Sequence, residues 1–391
     1  NGSDKLGVGA GPEERRAMER IEAESTEACL EGFRLGAGIA GLCGDGLARS
    51  TFVNALSNFA ALGTGKLMEN RHVRCVGCIF DIALEEGEVL GETWEYVFKV
   101  VSEVSRLKQV AEHLKADATF VDDALEDRDS DDSDDDDDEV DKVVQMSEKA
   151  IDEFNAQRVS DAIGDDMIDK VFQTSGNLSD AAVREFVEQL CRVSRMEISG
   201  YGGVAASTSA AEANTRRRFG AGIGVRSRIG NQQPIIFSLQ KLVEVAHYNL
   251  GRVTGLFDVL GEHFTVTALH SNAAVSMYAV DGLRQLSLKF LEREELAGSE
   301  FQRSFMRPYE DIMRKASHRT TRELVLSCIG QIVQVSGAKE GGTLRSGWRS
   351  IITVLGLAGK DESEDLSGAA FKQLLGFLDE ALGGSEDSRT E

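Results

Sequence analysis

The stretch FSLQKLVEVAHYNLGRV, residues 237–253, decides the fold, because an apolar residue returns in it at every third or fourth position. That spacing places the apolar residues along one side of a helix with 3.6 residues per turn. The residues on this side are Leu239, Leu242, Val243, Ala246, Leu250 and Val253. The stretch therefore predicts an amphipathic α-helix with a single apolar stripe.

The same spacing recurs on both sides of this helix. Towards the C-terminus, Thr320 and Glu323 have the spacing of a capping box and predict a helix start, and Pro308 is predicted to begin a new helix after Arg307. Towards the N-terminus, helices are predicted at 159–173 and 179–196. The inward residues of the further helices are Val73, Val76, Phe80 and Ala83; Trp94, Val97, Phe98 and Val101; Val183, Phe186, Val187, Leu190 and Cys191; Ala279, Val280, Leu283, Leu286, Ser287 and Phe290; and Val325, Cys328, Ile329, Ile332 and Val333.

A helix with one apolar stripe must bury it against a neighbour, so these successive stripes predict helices that stack on each other. The predicted fold class is all-α, an armadillo- or HEAT-like helical solenoid with a long acidic disordered insertion. The concave face of such a solenoid is the expected partner surface.

Several blocks of the sequence also resemble one protein family. The blocks are FSLQKLVEVAHYNLGR at 237–252, AVDGLRQLSLKFLEREEL at 279–296, FQRSFMRPYEDIM at 301–313, LRSGWRSI at 344–351, VFQTSGNLSDAAVREFVEQLCRVSRMEI at 171–198, CLEGFRLGAGIAGLCGDGLARSTFVNALSNF at 29–59 and EEGEVLGETWEYVFKVVSEVSRL at 85–107. They resemble the large brefeldin-A-inhibited (BIG-type) guanine-nucleotide exchange factors for Arf of the trans-Golgi. The matching parts of that family are the HDS regions, which lie downstream of its catalytic Sec-seven domain.

The resemblance implies a regulatory and scaffolding segment rather than an enzyme. In this family the catalytic domain would precede residue 29, and its signature loop and catalytic glutamate have no counterpart in this sequence. Because the chain begins at Asn1, we expect a segment of a longer protein. The resemblance implies autoinhibition of the catalytic domain and recruitment to Golgi membranes through Arf-family or other small GTPases. It further implies a cytoplasmic protein, peripheral at trans-Golgi membranes, with a homodimer as an open option.

The domain organisation follows from shifts in composition. We predict a disordered leader over 1–24, a first helical HDS-like block over 25–117 and an acidic disordered linker over 118–158. A helix pair over 159–198 opens the second HDS-like block, and a flexible Gly, Ser and Arg insertion follows over 199–234. The helical solenoid continues over 235–381 and is expected to include the start of the next HDS region, and 382–391 form a tail.

Charge and composition exclude several classes of protein. The chain has a net charge of −23, and residues 121–141 alone hold fourteen acidic residues against one arginine. An acidic surface disfavours nucleic acid and anionic lipid as non-specific ligands. No apolar run approaches the roughly 18 residues that span a bilayer. The six cysteines follow no regular framework, which favours reduced thiols in the cytosol. The alternative function is an acidic interaction protein whose Asp-rich arm binds basic partners.

Two glycine-rich segments resemble nucleotide-binding motifs but lack the sequence context that those motifs require. Residues 36–41, GAGIAG, match the dinucleotide fingerprint, yet a helical pattern rather than a strand precedes them. We predict close packing of a neighbouring helix against these small residues. Residues 63–67, GTGKL, suggest a phosphate loop, but Leu67 stands where Ser or Thr would bind Mg²⁺. We predict a turn between helices there.

The remaining candidates also predict no catalytic, cofactor or metal site, and they leave the partner-binding residues unknown. His72, Cys75 and Cys78 have metal-like spacing but lack a fourth ligand, so core thiols are favoured. His113, His247, His263, His270 and His318 are scattered along the chain, and Glu294 and Glu295 are predicted to be solvated. The only basic patch is Arg216, Arg217, Arg218, Arg226 and Arg228, which could touch acidic lipid or the acidic run.

Overall fold

The computed structural model describes residues 12–125, 148–199, 235–293, 299–337 and 344–383, and all regular elements in these ranges are helical. The helices are α1 (Pro12–Leu42), α2 (Gly46–Phe59), α3 (Asn70–Glu85), α4 (Trp94–Leu125), α5 (Glu148–Ala162), α6 (Asp165–Gln173), α7 (Asp180–Ser199), α8 (Phe237–Tyr248), α9 (Phe257–Ala268), α10 (Ala273–Leu291), α11 (Ser299–Lys315), α12 (Arg319–Gly337), α13 (Trp348–Ala358) and α14 (Glu364–Gly383). Short 3-10 turns lie at Gly87–Val89, Gly91–Thr93, Thr174–Asn177 and Leu250–Gly255. The described residues divide into two compact units, 12–186 and 187–383.

In the second unit, packing follows the order of the chain. α8 contacts α10, α9 contacts α10 and α11, and α10 contacts α12. In the same way α11 contacts α12 and α13, α12 contacts α13 and α14, and α13 contacts α14. Each helix from α8 to α13 thus packs on at least one of the two helices that follow it in the chain, which is how stacked helical repeats bury their apolar stripes. The all-α, repeat-type fold class predicted from the sequence is confirmed.

The first unit follows a similar order. α1 packs on α2 and α3, α2 on α3 and α4, and α3 on α4 and α5. An aromatic cluster joins the start of α4 to α6 and α7: the Trp94 and Phe186 rings lie 4.6 Å apart, and those of Phe98 and Phe186 4.7 Å apart. The Trp94 indole Nε1 donates to the Gly87 carbonyl at 3.3 Å, which satisfies its one buried donor. This cluster fixes the core of the unit.

The predicted apolar stripes are buried in both units, apart from one residue. Every inward residue proposed for the helices around 73–83, 94–101, 183–191, 279–290 and 325–333 is at most 8% exposed. In the stripe over 237–253, Leu250 is half-buried and the other five residues are buried. The helix phases derived from the sequence are therefore confirmed.

A buried carboxylate joins α7 to α8. Glu197 is 6% exposed, and its Oε2 accepts from the Ser238 backbone N–H at 3.0 Å, while its Oε1 accepts from the Ser238 hydroxyl at 2.7 Å. The carboxylate faces the first turn of α8, where a negative charge is favoured by the helix dipole. The two helix ends that flank residues 200–234 are thus held together.

Several helix boundaries differ from the predicted ones. α1 begins at Pro12, so residues 12–24 are helical where a disordered leader was predicted. Proline favours this first helical position because its fixed φ angle is already close to the helical value. α4 continues to Leu125 and α5 begins at Glu148, which shortens the predicted linker 118–158 at both ends. α14 likewise runs to Gly383, into the predicted tail. The acidic run between α4 and α5, residues 126–147, lies outside the described residues, as do 200–234 and 384–391.

Two predicted helices are each interrupted. The helix predicted over 159–173 is broken at Ile163 and Gly164, where α5 ends and α6 starts. The helix predicted over 237–253 ends at Tyr248, because Asn249 leaves the helical conformation and its side-chain amide donates to the Val245 carbonyl. A 3-10 turn then carries Val253 into the core.

Two predicted start signals are wrong. Pro308 lies inside α11, which begins at Ser299, so it does not start a helix after Arg307. The ring is buried between helices, and packing compensates for the lost backbone donor. Thr320 is already inside α12, which begins at Arg319, and the Glu323 carboxylate accepts from the Arg319 side chain at 2.6 Å rather than forming a capping box.

Candidate functional site

The glycines of the GAGIAG motif lie within α1 and face packed neighbours. A Cβ placed on Gly36 would come within 2.9 Å of the Phe52 ring, and one on Gly41 within 2.4 Å of Val89. Both distances are shorter than any ordinary carbon contact, so the side chains of α2 and of the Gly87–Val89 turn occupy the space. The predicted close packing is confirmed, and this face of α1 leaves no room for a nucleotide.

The GTGKL segment forms the turn between α2 and α3, as predicted. Gly63 and Gly65 have φ of +66° and +70°, which glycine adopts without strain. The carboxamide of Asn155 in α5 holds the turn: its Nδ2 donates to the Lys66 carbonyl at 2.9 Å, and its Oδ1 accepts from the Met68 N–H at 2.7 Å. The polar groups at the end of the turn therefore stabilise the fold and are not directed at a phosphate.

His72, Cys75 and Cys78 lie on α3 without forming a metal site. The His72 Nδ1 accepts from the Glu69 N–H at 2.9 Å, and this bond is part of the capping box at the start of α3. The Cys78 Sγ donates to the Leu30 carbonyl, and burial raises the pKa of this thiol to about 11. Within the described ranges, no group of three or more His, Cys, Asp or Glu side chains is arranged to hold a metal ion.

The histidines are dispersed, and one of them has a setting that its position in the sequence did not reveal. His263, on α9, is 2% exposed, and its Nε2 lies 3.0 Å from the Ser194 hydroxyl of α7. Its Nδ1 has no hydrogen-bond partner. Burial, together with the positive charge of Arg195, lowers the pKa of His263 to about 3. The pair is a neutral buried contact between two helices.

The other histidines serve local structure. His270 Nδ1 accepts from the Asn272 N–H at 3.0 Å, and His318 Nε2 donates to the Ser271 carbonyl at 2.8 Å. His113 is exposed on α4, and burial lowers the pKa of His247 on α8. Glu294 and Glu295 lie outside the described residues, and so do the five arginines of the basic patch and the central part of the Asp-rich run.

An apolar surface on the last described helix is the best candidate for partner binding. Leu366 and Ala370 lie on the face of α14 that is buried in the core. The opposite face carries Phe371, Leu375 and Leu378, which are 62%, 46% and 47% exposed. We call these three residues the α14 stripe. Their spacing of four and three residues is that of one helix face. Because α14 carries apolar residues on two opposite faces, one of them is available to another molecule.

The helices around the α14 stripe are firmly held. The Trp348 ring of α13 lies 6.2 Å from the Phe377 ring of α14 in an edge-on arrangement. The Arg319 guanidinium of α12 bridges Glu323 and Asp365 at 2.6 and 2.7 Å. A cleft of about 290 Å³ lies between α12 and α14, and the Gln373 amide crosses it to the Leu326 carbonyl at 3.2 Å. The helix that carries the stripe therefore packs on both α12 and α13.

The sequence contains the signal for the α14 stripe, but the pattern was not singled out in the sequence analysis. In LSGAAFKQLLGFLDEAL, residues 366–382, apolar residues occur at too many positions for a single helix face. A helix that is apolar on both sides is either enclosed by its own protein or covered by a partner. Only the structure shows which of the two faces is used internally.

Comparison with known proteins agrees with this architecture. The family model described as Sec7-like HDS, Mon2/Sec7/BIG1-like, matches residues 289–375, from the last turn of α10 into α14. Brefeldin A-inhibited guanine nucleotide-exchange protein 1 of Mus musculus is 29% identical over 370 residues, which cover 90% of this chain and 18% of the relative. Protein 1 of the same name in Arabidopsis thaliana is 29% identical over 377 residues, covering 88% of this chain and 20% of the relative.

A relative from a yeast has the same level of sequence identity to this chain. The ADP-ribosylation factor guanine nucleotide-exchange factor sec72 of Schizosaccharomyces pombe is 29% identical over 367 residues, covering 90% of this chain and 18% of the relative. The chain therefore spans about a fifth of the length of the curated relatives it matches. Its fold is that of a helical-repeat protein. Residues 289–375 match the HDS family model, and the chain is similar over most of its length to the large BIG-type exchange factors for Arf, which confirms the resemblance seen in the sequence.

No helix within the described ranges combines the length and the apolar character needed to cross a bilayer.

Proposed function

We propose that this chain is a non-catalytic regulatory and scaffolding segment of a large Arf exchange factor that acts in Golgi vesicle trafficking. The observation that carries the proposal is the position of the HDS match, because residues 289–375 coincide with the packed helices from the end of α10 into α14. In this role the segment restrains the catalytic domain of its parent protein and helps to recruit it to trans-Golgi membranes from the cytoplasm.

The α14 stripe is the surface that we assign to an activated small GTPase of the Arf family. Two of its three residues, Phe371 and Leu375, lie within the HDS match, and the relative from yeast is by its name an exchange factor for ADP-ribosylation factor. Exposed Lys372 and Asp379 stand beside the apolar residues and give the stripe a polar rim. An exposed apolar surface with such a rim is typical of a protein-binding site.

Binding of Arf-family GTPases to the purified chain tests this assignment. We expect the GTP-loaded form to bind more tightly than the GDP-loaded form, measured by calorimetry and by flotation with liposomes that carry the GTPase. Phe371→Asp should weaken binding at least about tenfold, because it places a charge in an apolar contact. Its melting temperature should stay unchanged, since the side chain is exposed in the chain.

Val266→Asp is the matched control, because Val266 is 58% exposed on α9, outside the stripe and outside the HDS match. This variant should bind the GTPase as well as the unaltered chain does. The assignment is overturned if no Arf-family GTPase binds in a nucleotide-dependent way, or if the two variants weaken binding equally.

A further inference from the structure

The neighbouring helix α13 also carries exposed apolar side chains. Trp348, the first residue of α13, is 37% exposed, and Ile352, one turn further on, is 58% exposed. Gly356 follows after another turn, and a Cβ built on it would meet no atom within 4 Å. The spacing of four residues places all three on one side of the helix. This side of α13 is therefore open to contact.

The exposed side of α13 runs alongside α14 in the opposite direction. Only residues 359–363 connect the two helices, and a connection this short joins antiparallel neighbours. The contact between the Trp348 and Phe377 rings sets the level at which the helices meet. From that contact, Leu378 lies level with Trp348, Leu374 lies level with Ile352, and Phe371 lies between the levels of Ile352 and Gly356.

The α14 stripe lies on the side of α14 that is directed towards α13. The other side of α14, with Asp365, Ala369 and Gln373, lines the cleft against α12. At 3.6 residues per turn, Phe371 and Leu378 stand roughly 160–180° around the helix from those three residues. Two half-buried residues, Leu374 and Phe377, lie between the stripe and the buried face of α14.

These residues together form an apolar groove between α13 and α14. Trp348 and Ile352 form one wall, the α14 stripe forms the other, and Leu374 and Phe377 form the floor. We call it the α13–α14 groove. Its length is about two helical turns, because the eight residues from Trp348 to Gly356 rise by roughly 12 Å.

The α13–α14 groove has the period of an α-helix. Because its walls are themselves helices, its apolar side chains recur once per turn, about every 5.4 Å. A second helix lying in the groove has the same period, so its own apolar residues at i, i+4 and i+7 meet successive levels of the walls. Gly356 leaves room for a close approach at one end. The groove therefore fits an amphipathic helix.

Charged residues at the two ends of the groove favour one direction of such a helix. Arg345 and Arg349 are exposed at the Trp348 end. At the Gly356 end the exposed charges are Lys360, Glu362 and Glu364, with a net charge of about −1. A helix carries partial negative charge at its C-terminus and partial positive charge at its N-terminus. A bound helix is thus favoured with its C-terminus beside Trp348, parallel to α14.

We infer that the α13–α14 groove receives an amphipathic helix of the activated GTPase, and that Trp348 anchors it. The inference rests on the proposed function, because the α14 stripe is one wall of the groove. Tryptophan is among the residues that contribute most to binding at protein interfaces. The Trp348 ring is already held in place by its edge-on contact with Phe377, so little order has to be gained on binding.

Binding of the GTP-loaded GTPase to Ile352→Asp tests the wall on α13. The matched control is Val266→Asp, since Ile352 and Val266 are both β-branched and both 58% exposed, and only Ile352 lies in the groove. We expect Ile352→Asp to weaken binding at least about tenfold, because it places a charge in an apolar contact. Val266→Asp should leave binding unchanged, and both variants should keep the melting temperature of the unaltered chain.

Fluorine NMR tests the anchor and the shape of the bound segment. The chain has two tryptophans, and the other one, Trp94, is fully buried. In a chain labelled with 5-fluorotryptophan, the unlabelled GTPase should shift the Trp348 resonance and leave that of Trp94 in place. Trp348→Phe identifies the resonance by removing it. Peptides that each span one surface helix of the same GTPase are then added, and one of them should shift the Trp348 resonance and compete with the GTPase.

The outcomes separate this inference from the proposed function. If no Arf-family GTPase binds, both are overturned. If the GTPase binds and Phe371→Asp weakens it, but Ile352→Asp binds normally and the Trp348 resonance does not move, only the groove is overturned. If the GTPase moves the Trp348 resonance and none of the peptides does, the bound segment is not a helix and the inference is wrong.

Discussion

His263 illustrates at the scale of one residue how burial couples the fold to pH. Its pKa is about 3 in the folded chain, against an ordinary value of 6.5, because burial disfavours the imidazolium and Arg195 repels it. The unfolded chain therefore binds a proton at a pH at which the folded chain does not. The contribution of neutral His263 to the free energy of unfolding is therefore complete above pH 6.5 and is lost as the pH falls from 6.5 towards 3.

We predict a loss in the free energy of unfolding of about 1.4 kcal/mol from this group between pH 7.5 and 5.5. The measurement is urea unfolding of the unaltered chain and of His263→Gln, in which an amide replaces the imidazole beside Ser194. The variant should lack this part of the pH dependence. His72, His247 and His270, whose pKa values burial also lowers, remain in both proteins and cancel in the comparison. Equal pH slopes would disprove the assignment.

The sequence did not identify this pair, because Ser194 and His263 are 69 positions apart and neither belongs to a motif. Tertiary contacts of single polar residues leave no periodic signal. The glycines of the GAGIAG motif are the opposite case: their helical context alone excluded the nucleotide, and the Phe52 ring and Val89 side chain agree with that reading.

At the scale of the helix, α10 offers a matched test of the packing phase. Leu283 is fully buried, whereas Tyr278 on the same helix is 50% exposed. Leu283→Asp should lower the free energy of unfolding by several kcal/mol, because it buries an unpaired carboxylate. Tyr278→Asp should change it by less than about 0.5 kcal/mol. Similar urea midpoints for the two variants would show that the phase of α10 is wrong.

The helices themselves were predictable from sequence, but their ends were not. Periodicity located the inward residues because it sums over many positions. Boundaries depend on single contacts, such as the Asn249 amide that closes α8 or the Arg319 side chain that takes the Glu323 carboxylate. Pro308 shows the same limit, since a proline usually marks a helix boundary and here is held inside α11 by packing.

At the scale of the whole molecule, the helices are expected to be independent of the Asp-rich run. Because α4 continues to Leu125 and α5 begins at Glu148, a deletion of residues 128–141 removes charge without cutting either helix. We predict that the melting temperature changes by no more than a few degrees, since like charges at this density offer nothing to bury. Thermal unfolding followed by circular dichroism measures it. A large drop would mean that the run is packed against the helices.

The bond between Glu197 and Ser238 has a consequence for how this gene can change. Since those two residues meet, whatever is encoded between them begins and returns at a single anchor on the helical framework. The entropy of closing a chain rises only with the logarithm of its length, so doubling the encoded stretch costs about 0.6 kcal/mol. Insertions at 200–234 therefore lower the free energy of unfolding only slightly. We expect related proteins to differ in length here more than anywhere within α8 to α10.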